Sequence, residues 1–193
     1  MATESFQQSQ GSPTVPMRVA VVGATGSGKT TLANALALRL GLTHVELDAF
    51  HHGPNWVETP DDIFRGLVER ATDSEAWVVD GNYSKARDII WARGNTVVWL
   101  DYSFPLVFWR LFRRTIRRGV LRQELWNGNR EKLWWHFFTK KSLFLWLLKT
   151  YWRRQKEIPA MLARPEYGHL NVLRFKSPAD ADRWLRDVTG NTL

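Results

Sequence analysis

An eight-residue glycine loop, with a strand before it and a helix after it, constrains this chain more than any other feature. The loop, Gly23–Thr30, matches the pattern G-x-x-x-x-G-K-[ST] at every position. The apolar run Met17–Val22 precedes it with the composition of a buried parallel strand, and a helical pattern follows to Leu40 and ends at Gly41. This context separates a phosphate-binding loop from a glycine-rich turn that happens to contain Lys-Thr. The sequence therefore predicts a nucleoside triphosphate site.

The loop residues have distinct expected roles at that site. Glycines let the backbone wrap a phosphate so that successive N–H groups point inward, aided by the positive end of the following helix. Lys29 is expected to reach the β- and γ-phosphates of ATP, and the hydroxyl of Thr30 to ligate Mg²⁺. The predicted ATP-binding residues are Gly23, Ala24, Thr25, Gly26, Ser27, Gly28, Lys29, Thr30 and Thr31.

The length and composition predict one domain with an insertion. A chain of 193 residues suits a single core. We expect residues 17–188 to form it, with a helical insertion at about 119–164, and the polar residues 1–16 to be a disordered leader without signal-peptide features. The chain has no cysteine, which excludes disulfides, thiol catalysis and zinc-thiolate sites. No apolar stretch approaches the ~20 residues of a membrane span, so a cytoplasmic protein is expected.

Short β-rich runs alternate with helical patterns along the chain. This alternation is typical of an α/β protein whose parallel sheet is covered by helices on both faces. A final helix follows Ser177, which is expected to cap it. The rhythm breaks between Gly119 and Arg164, where no strand signal appears. Strands are predicted at 18–22, 44–48, 77–80, 96–101 and 169–175, and helices at 29–40, 60–71, 84–93 and 105–118.

Three acids close apolar runs of the predicted sheet. Ligands of an open parallel sheet bind at the carboxyl ends of its strands, where Asp48, Asp80 and Asp101 fall. Any of the three fits the carboxylate that orients Mg²⁺ through its water shell, and each also fits an ordinary turn acid. The apolar lead Val97–Leu100 favours Asp101 by local pattern alone.

The positive charge of the chain is concentrated in one segment. Residues 104–156 contain 14 Lys and Arg against two Glu, a balance of +12. An anionic partner is expected for such a segment: the phosphates of ATP and an acceptor, a nucleic acid, or a membrane surface. Within it, Arg110, Arg113, Arg114 and Arg117 recur at helical spacing as a positive stripe, which is unfavourable unless an anion neutralises it.

At its motifs the chain resembles the adenylate-kinase-like group of small P-loop kinases, and most closely the bacterial "topology modulation" kinases. The resemblance covers about residues 17–185. It implies a P-loop NTPase fold, a three-layer sandwich with a five-stranded parallel sheet of order 2-3-1-4-5, and a helical lid between strands four and five. The motifs that carry it are Gly23–Thr30, Leu47–Trp56, Val79–Ser84 and Glu124–Glu131.

The resemblance also implies roles for single residues. In adenylate kinases the third strand ends in Asp-Gly-Phe-Pro-Arg with the Asp near the metal. Asp80-Gly81 fits this motif, so Asp80 rather than Asp101 is implied as the acid of the Mg²⁺ site, together with Thr30. Asn82-Tyr83-Ser84 replace Phe-Pro-Arg, so the resemblance does not identify the acceptor. An ATP- and Mg²⁺-dependent kinase of a small molecule, a nucleotide among the candidates, is expected.

Acceptor chemistry is expected after the second predicted strand. Asp48 would orient or deprotonate the attacking hydroxyl. His51 and His52 either contact the acceptor or are loop histidines packed against Trp56. They do not predict a metal site, because further ligands at suitable spacing are missing from the sequence.

The aromatic and basic stretch Leu133–Trp152 leaves several alternatives open. It fits helices packed on the domain, a surface for single-stranded nucleic acid, an interfacial membrane helix, or a homodimer contact. The alternative function from a different class is therefore a nucleic-acid-binding P-loop protein regulated by its nucleotide.

Arg130, in the Asn-Gly-Asn-Arg motif of the expected lid, is predicted to act as an arginine finger. Positive charge on the γ-phosphoryl oxygens stabilises the loose transition state of phosphoryl transfer. Arg130→Ala should therefore lower kcat by a factor on the order of 10³, with a smaller change in ATP affinity. Arg117→Ala should act in the same direction but more weakly. Single-turnover assays and ATP titrations measure both effects, and full turnover of both variants would contradict the assignment.

Overall fold

Five parallel strands form one sheet, in the spatial order β2-β3-β1-β4-β5. The computed structural model describes residues 17–120 and 143–188. Each neighbouring pair is parallel and in register over four or five residues. The strands are β1 (Arg18–Gly23), β2 (Thr43–Glu46), β3 (Trp77–Asp80), β4 (Thr96–Leu100) and β5 (Asn171–Phe175).

Helices cover both faces of this sheet and make it the middle of three layers. One apolar cluster joins β1, β3 and β4 to α3, α4 and the end of α6, and a second joins the opposite face to α1, α5, the start of α6 and α7. The predicted P-loop three-layer α/β fold and strand order are confirmed. The helices are α1 (Lys29–Leu40), α2 (Leu47–His51), α3 (Asp61–Ala71), α4 (Arg87–Arg93), α5 (Phe104–Val120), α6 (Leu143–Leu162) and α7 (Pro178–Asp187).

The central strand β1 carries apolar side chains on both faces. Val19 and Val21 enter one cluster, whereas Ala20 and Val22 enter the other. A strand buried on both faces reads as a continuous apolar run, which is why the sequence identified it readily. Its end at Gly23 passes directly into the glycine loop and α1, so the loop starts from the most enclosed strand of the sheet.

The second strand ends earlier than predicted. We predicted a strand over 44–48, but β2 stops at Glu46 and the chain turns into the short helix α2, which contains Asp48. Leu47 is fully buried, and an added Cβ on Gly81 would lie 2.9 Å from its Cβ. The apolar run therefore continues past the strand because Leu47 fills the space left by Gly81, and hydrophobicity alone could not locate the turn.

The other boundaries differ less. The predicted helix at 84–93 begins as a 3₁₀ turn, Ser84–Ala86, before α4, and α5 extends past both ends predicted for it. The cap of the last helix is confirmed, because Ser177 Oγ accepts a hydrogen bond from the backbone N–H of Asp180 at 3.2 Å.

Part of the predicted insertion is described. Helix α6 lies within its second half and packs against α5, where Phe104 stacks on Trp152 with ring centroids 4.9 Å apart. Residues 1–16, the expected leader, and 121–142, with Arg122 and Arg130, lie outside the described residues. Of the helices that are described, none is both long and apolar enough to cross a membrane.

Asp101 ties the ends of two neighbouring strands together. Its side chain, 6% exposed, accepts from Arg174 Nη2 on β5 at 2.6 Å and from Gln155 Nε2 on α6 at 3.2 Å. Its backbone N–H donates to the carbonyl of Phe175 at 2.9 Å. Asp101 is thus occupied by structural partners at the edge between β4, β5 and α6.

We expect Asp101→Asn to lower the free energy of unfolding by about 1–3 kcal/mol, because it weakens charge-assisted hydrogen bonds to a largely buried group. Urea unfolding followed by tryptophan fluorescence measures the change. Asp73→Asn, at an exposed acid, is the matched control and should have little effect. If Asp101→Asn instead abolished Mg²⁺-dependent nucleotide binding with stability unchanged, the structural role would be wrong.

Candidate functional site

The loop between β1 and α1 has a conformation that depends on glycine. Gly26 and Gly28 have φ angles of 85° and 94°, in the left-handed region that side chains disfavour. A Cβ on Gly26 would also lie 2.8 Å from the carbonyl oxygen of Val107. The backbone N–H of Ser27 donates to the carbonyl of Ala24 at 3.1 Å, which closes the turn. The loop therefore has the tight curvature that aims backbone N–H groups at a phosphate.

Lys29 lies at the start of α1 and reaches back across the loop. Its Nζ donates to the carbonyl of Ala24 at 3.0 Å. Burial, together with the positive charge of Arg154, lowers the pKa of Lys29 to about 8, although the carboxylates of Asp48 and Asp80 oppose the shift. The amine is thus partly desolvated with too little negative charge around it. A bound phosphate would supply that charge.

Two groups from distant parts of the chain hold the loop. Arg110 Nη1, on α5, donates to the carbonyl of Ser27 at 3.1 Å, and its guanidinium lies 5.7 Å from the ring centroid of Tyr102. The amide side chain of Asn82, after β3, contacts Gly23 twice: its Oδ1 accepts from the Gly23 N–H at 3.4 Å, and its Nδ2 donates to the Gly23 carbonyl. The loop is therefore held at its first residue, Gly23, and near its middle, at Ser27.

The loop forms one wall of a large cleft at the carboxyl edge of the sheet, here called the cleft. Its other walls come from α2, the turn after β3, and helices α4, α5 and α6. Residues on its lining that bear on the chemistry are Lys29, Thr30, Thr31, Asp48, His51, His52, Asp80, Asn82, Tyr83, Lys85, Arg87, Arg110, Arg114, Lys149, Arg153, Arg154 and Arg164.

Asp80 is the buried acid of the cleft. It is 2% exposed at the end of β3, and its Oδ2 lies 3.1 Å from Nε2 of His44 on β2. His44 was not predicted as a site residue, because the contact joins neighbouring strands 36 positions apart and has no local motif. The contact with His44 fixes the orientation of the Asp80 carboxylate, and Asp80 also lines the cleft.

Asp48 lies across the cleft with a different partner. The hydroxyl of Tyr83 donates to its Oδ1 at 2.6 Å. Burial and the adjacent carboxylate raise the pKa of Tyr83, so that this tyrosine is a neutral donor at physiological pH. Tyr83 thus orients Asp48 and leaves Oδ2 to accept a further hydrogen bond.

The two predicted histidines pack differently. His51 is buried, with its ring 4.7 Å from that of Tyr83 and 5.8 Å from that of Phe64, and its Nε2 lies 3.9 Å from Glu58. His52 packs edge-on against Trp56 at 5.3 Å, which agrees with the packing alternative. Burial lowers the pKa of both imidazoles and favours their neutral forms.

The four arginines of the predicted stripe on α5 do not all face the cleft. Arg110 and Arg114 line the cleft, whereas Arg113 and Arg117 are exposed and lie off its lining. The structure therefore does not bring Arg117 to the loop, and Arg130 lies outside the described residues. Arg87 and Arg154, which we did not predict as site residues, do line the cleft. The basic segment contains Arg154, but periodicity does not tell which of its cations face inward.

Two positions fit a divalent cation beside a bound triphosphate. Thr30 and Asp80 both line the cleft next to Lys29, one on α1 and one on β3. Mg²⁺ in nucleotide sites takes one or two protein oxygens and completes its shell with phosphate and water. The described residues contain no group of three or more His, Asp and Glu side chains that could hold a metal ion.

The loop, the sheet order and the enclosing helices define a class: the chain has the P-loop NTPase fold. Residues 19–101, from β1 through β4, match the family model described as ATPase family associated with various cellular activities (AAA). No curated protein sequence matches the chain.

Solved structures share the architecture over nearly the whole chain. A shikimate kinase from Bacteroides thetaiotaomicron superimposes with a TM-score of 0.54 at 14% identity, covering 91% of this chain and 97% of its own. A shikimate kinase from Acinetobacter baumannii in complex with shikimate superimposes with a TM-score of 0.53 at 18% identity, covering 92% of this chain and 95% of its own. A gluconokinase from Sinorhizobium meliloti 1021 superimposes with a TM-score of 0.50 at 17% identity, covering 91% of each chain. At these identities the similarity shows the fold.

The lowered pKa of Lys29 predicts that ATP affinity falls as pH rises above about 8. Phosphates raise the pKa of the bound lysine, so above about pH 8 the complex holds more protons than the free protein, and raising the pH favours the free protein. Calorimetric titrations between about pH 7 and pH 9, in buffers of different ionisation enthalpy, should show proton uptake. Lys29→Met is the control and should bind weakly without that uptake. A wild-type affinity that is constant over this range would contradict the prediction.

Proposed function

We propose that this protein is an ATP- and Mg²⁺-dependent kinase that transfers the γ-phosphoryl group to a hydroxyl of a small molecule. The observation that carries the proposal is the convergence of Lys29, Asp80 and Asp48 on one cleft, with the phosphate-binding loop as its wall. The loop and Lys29 bind the triphosphate, Thr30 and Asp80 hold Mg²⁺, and Asp48 serves the acceptor.

Binding of the triphosphate follows from the loop geometry. Residues Gly23–Thr31 offer backbone N–H groups, and Lys29 exchanges the carbonyl of Ala24 for phosphate oxygens. Arg110 and Arg114 add positive charge from α5. Bound Mg²⁺ would neutralise charge on the β- and γ-phosphates. His44 acts as a positioning residue, since it holds the carboxylate of Asp80 at 3.1 Å.

Transfer requires a hydroxyl oxygen in line with the γ-phosphorus. Asp48 accepts the hydrogen bond of that hydroxyl and takes its proton as the new P–O bond forms. The bond from the γ-phosphorus to the bridging oxygen breaks, and ADP leaves with the electron pair. Tyr83 keeps Asp48 oriented through its 2.6 Å hydrogen bond. The cations of the cleft stabilise the charge that spreads over the transferred group.

The structural neighbours support a small-molecule acceptor. They bear the names shikimate kinase and gluconokinase, and one is in complex with shikimate. Their names do not identify the acceptor of this chain, because the similarity is one of fold. The lid arginine Arg130 and the stripe arginine Arg117 stay predictions from the sequence.

An acceptor screen tests the proposal. ADP release would be followed over nucleosides, nucleotides, sugars and 5′-hydroxyl oligonucleotides, with Lys29→Ala as the inactive control. Mg²⁺-dependent turnover with a small alcohol is the expected result. If ATP were bound but every acceptor failed, while oligonucleotides bound with an affinity falling steeply with salt, the nucleic-acid-binding alternative would replace the kinase.

Substitutions of the two cleft acids, Asp80 and Asp48, should affect activity and nucleotide binding differently. Asp80→Asn should remove most Mg²⁺-dependent activity and weaken Mg²⁺·ATP binding, because it removes the carboxylate beside Thr30. Asp48→Asn should lower kcat by a factor of about 10²–10⁴, the usual range for a general base, and leave ATP affinity nearly unchanged. Steady-state kinetics and nucleotide titrations measure both variants, with Asp73→Asn as the exposed control. Equal loss of nucleotide affinity in both variants would contradict the division of roles.

A further inference from the structure

We propose that the acceptor is itself an anion, and that its phosphate or carboxylate group binds between Arg87 and Arg154. The inference rests on the proposed kinase function and names the class of alcohol that the cleft takes. Its basis is a pair of partly buried guanidinium groups that face the cleft and lack carboxylate partners among the described residues.

Arg154 projects from α6 into a crowded positive environment. Burial lowers its pKa, and the charges of Arg153 and Arg87 lower it further. Among the described residues, its guanidinium lies over the ring of Trp146, 5.9 Å from the centroid. Within residues 17–120 and 143–188, no carboxylate oxygen lies within ion-pair distance of it. Most of its N–H donors therefore have no strong acceptor from these parts of the chain.

Arg87, at the start of α4, is in a similar position. Its Nη1 donates to the thioether sulfur of Met161 at 2.6 Å, and its guanidinium lies 5.4 Å from the ring centroid of Trp91. Burial lowers its pKa. Sulfur is a weak acceptor and carries no charge to balance the guanidinium, so this arginine also retains donors for an anion.

Among the described residues, Glu157 is the carboxylate whose charge acts on both arginines, and it does not neutralise them. Its charge raises the pKa of Arg87 and of Arg154, but in each case less than burial lowers it. Glu157 also lines the cleft, but its Oε1 lies 3.4 Å from Nε of Arg153, so this carboxylate is paired with a third arginine. Arg87 and Arg154 therefore retain positive charge that Glu157 does not balance.

The location of this pair suits the acceptor rather than the nucleotide. Arg87 and Arg154 line the same cleft as Tyr83 and Asp48, the pair that would receive the hydroxyl. The charge of Arg154 also affects the pKa of both Lys29 and Tyr83. Arg87 follows Tyr83 by one short turn of chain. An anionic group bound here places the rest of a small molecule next to Asp48.

The chemistry selects an oxyanion. Guanidinium groups match phosphate and carboxylate through paired N–H···O bonds, and an oxyanion between two of them removes their mutual repulsion. The cleft therefore fits a phosphorylated alcohol or a hydroxy acid better than a neutral sugar. Phosphate and carboxylate share this chemistry, and the experiment distinguishes them.

A binding experiment on the full chain tests the pair directly. The loop is first saturated with Mg²⁺ and a non-hydrolysable ATP analogue, so that added anions cannot bind there. Inorganic phosphate and acetate are then titrated separately, with calorimetry or tryptophan fluorescence as the readout. We expect saturable binding of one anion, weakened at least tenfold in Arg87→Met and in Arg154→Met. Lys156→Met removes an exposed positive charge from the same helix and should leave the affinity unchanged.

Turnover on matched pairs provides the second arm. Glycerol would be compared with glycerol 3-phosphate and glycerate, and ribose with ribose 5-phosphate. We expect ADP release only with charged members, and their KM should rise in the two arginine variants while ATP affinity is kept. Arg154→Lys should keep part of the affinity for the anion, because lysine retains the positive charge but lacks the paired N–H donors of the guanidinium group.

The outcomes separate this inference from the function on which it rests. If the ATP analogue binds but neither anion does, or if neutral alcohols are used as well as charged ones, the anionic subsite is wrong and the kinase proposal stands. If the wild-type chain does not bind the ATP analogue, the kinase proposal itself fails. Loss of anion binding in Lys156→Met to the same extent would show a diffuse charge effect and would overturn the assignment to Arg87 and Arg154.

Discussion

The double burial of β1 is the constraint on which the rest of the structure depends. Because both faces of this strand are covered by apolar clusters, its carboxyl end cannot shift without disturbing two layers at once. The glycine loop begins at that end. Asp80 lies beside it, since β3 pairs with β1 and places Asp80 opposite Val21. The position of the phosphate loop relative to the buried acid is thus set by packing and by sheet register.

The three strand-end acids show how partners decide the role of one residue type. Asp101 forms an ion pair with Arg174 at 2.6 Å and connects structural elements, whereas Asp80 contacts a histidine and Asp48 a tyrosine. An ion pair neutralises the charge of a carboxylate. A single hydrogen bond orients the carboxylate and leaves its second oxygen free to bind a ligand. Local hydrophobicity alone favoured Asp101 as the metal acid, whereas in the structure its side chain is held by Arg174 and Gln155.

Much of the fold could be predicted because its signals are local. The apolar lead of β1, the glycine loop and the alternation of strands and helices need only neighbouring residues, and the sheet order came from the resemblance. The missed features join distant positions: His44 with Asp80 across two strands, and Arg87 with Arg154 across α4 and α6. The early end of β2 was missed because Leu47 is apolar although it lies outside the strand. Its side chain fills the space above Gly81, a tertiary contact that local sequence does not reveal.

The contact of Asn82 with Gly23 has a thermodynamic consequence. Asn82 is next to Tyr83, which donates a hydrogen bond to Asp48, so one short segment contacts both the first residue of the phosphate loop and Asp48. If a bound nucleotide displaces Gly23, this segment is strained or moves, and the orientation of Asp48, the acid proposed to serve the acceptor, changes with it. The two ligands are then energetically linked, and linkage is reciprocal: whatever the nucleotide does to acceptor affinity, the acceptor does equally to nucleotide affinity.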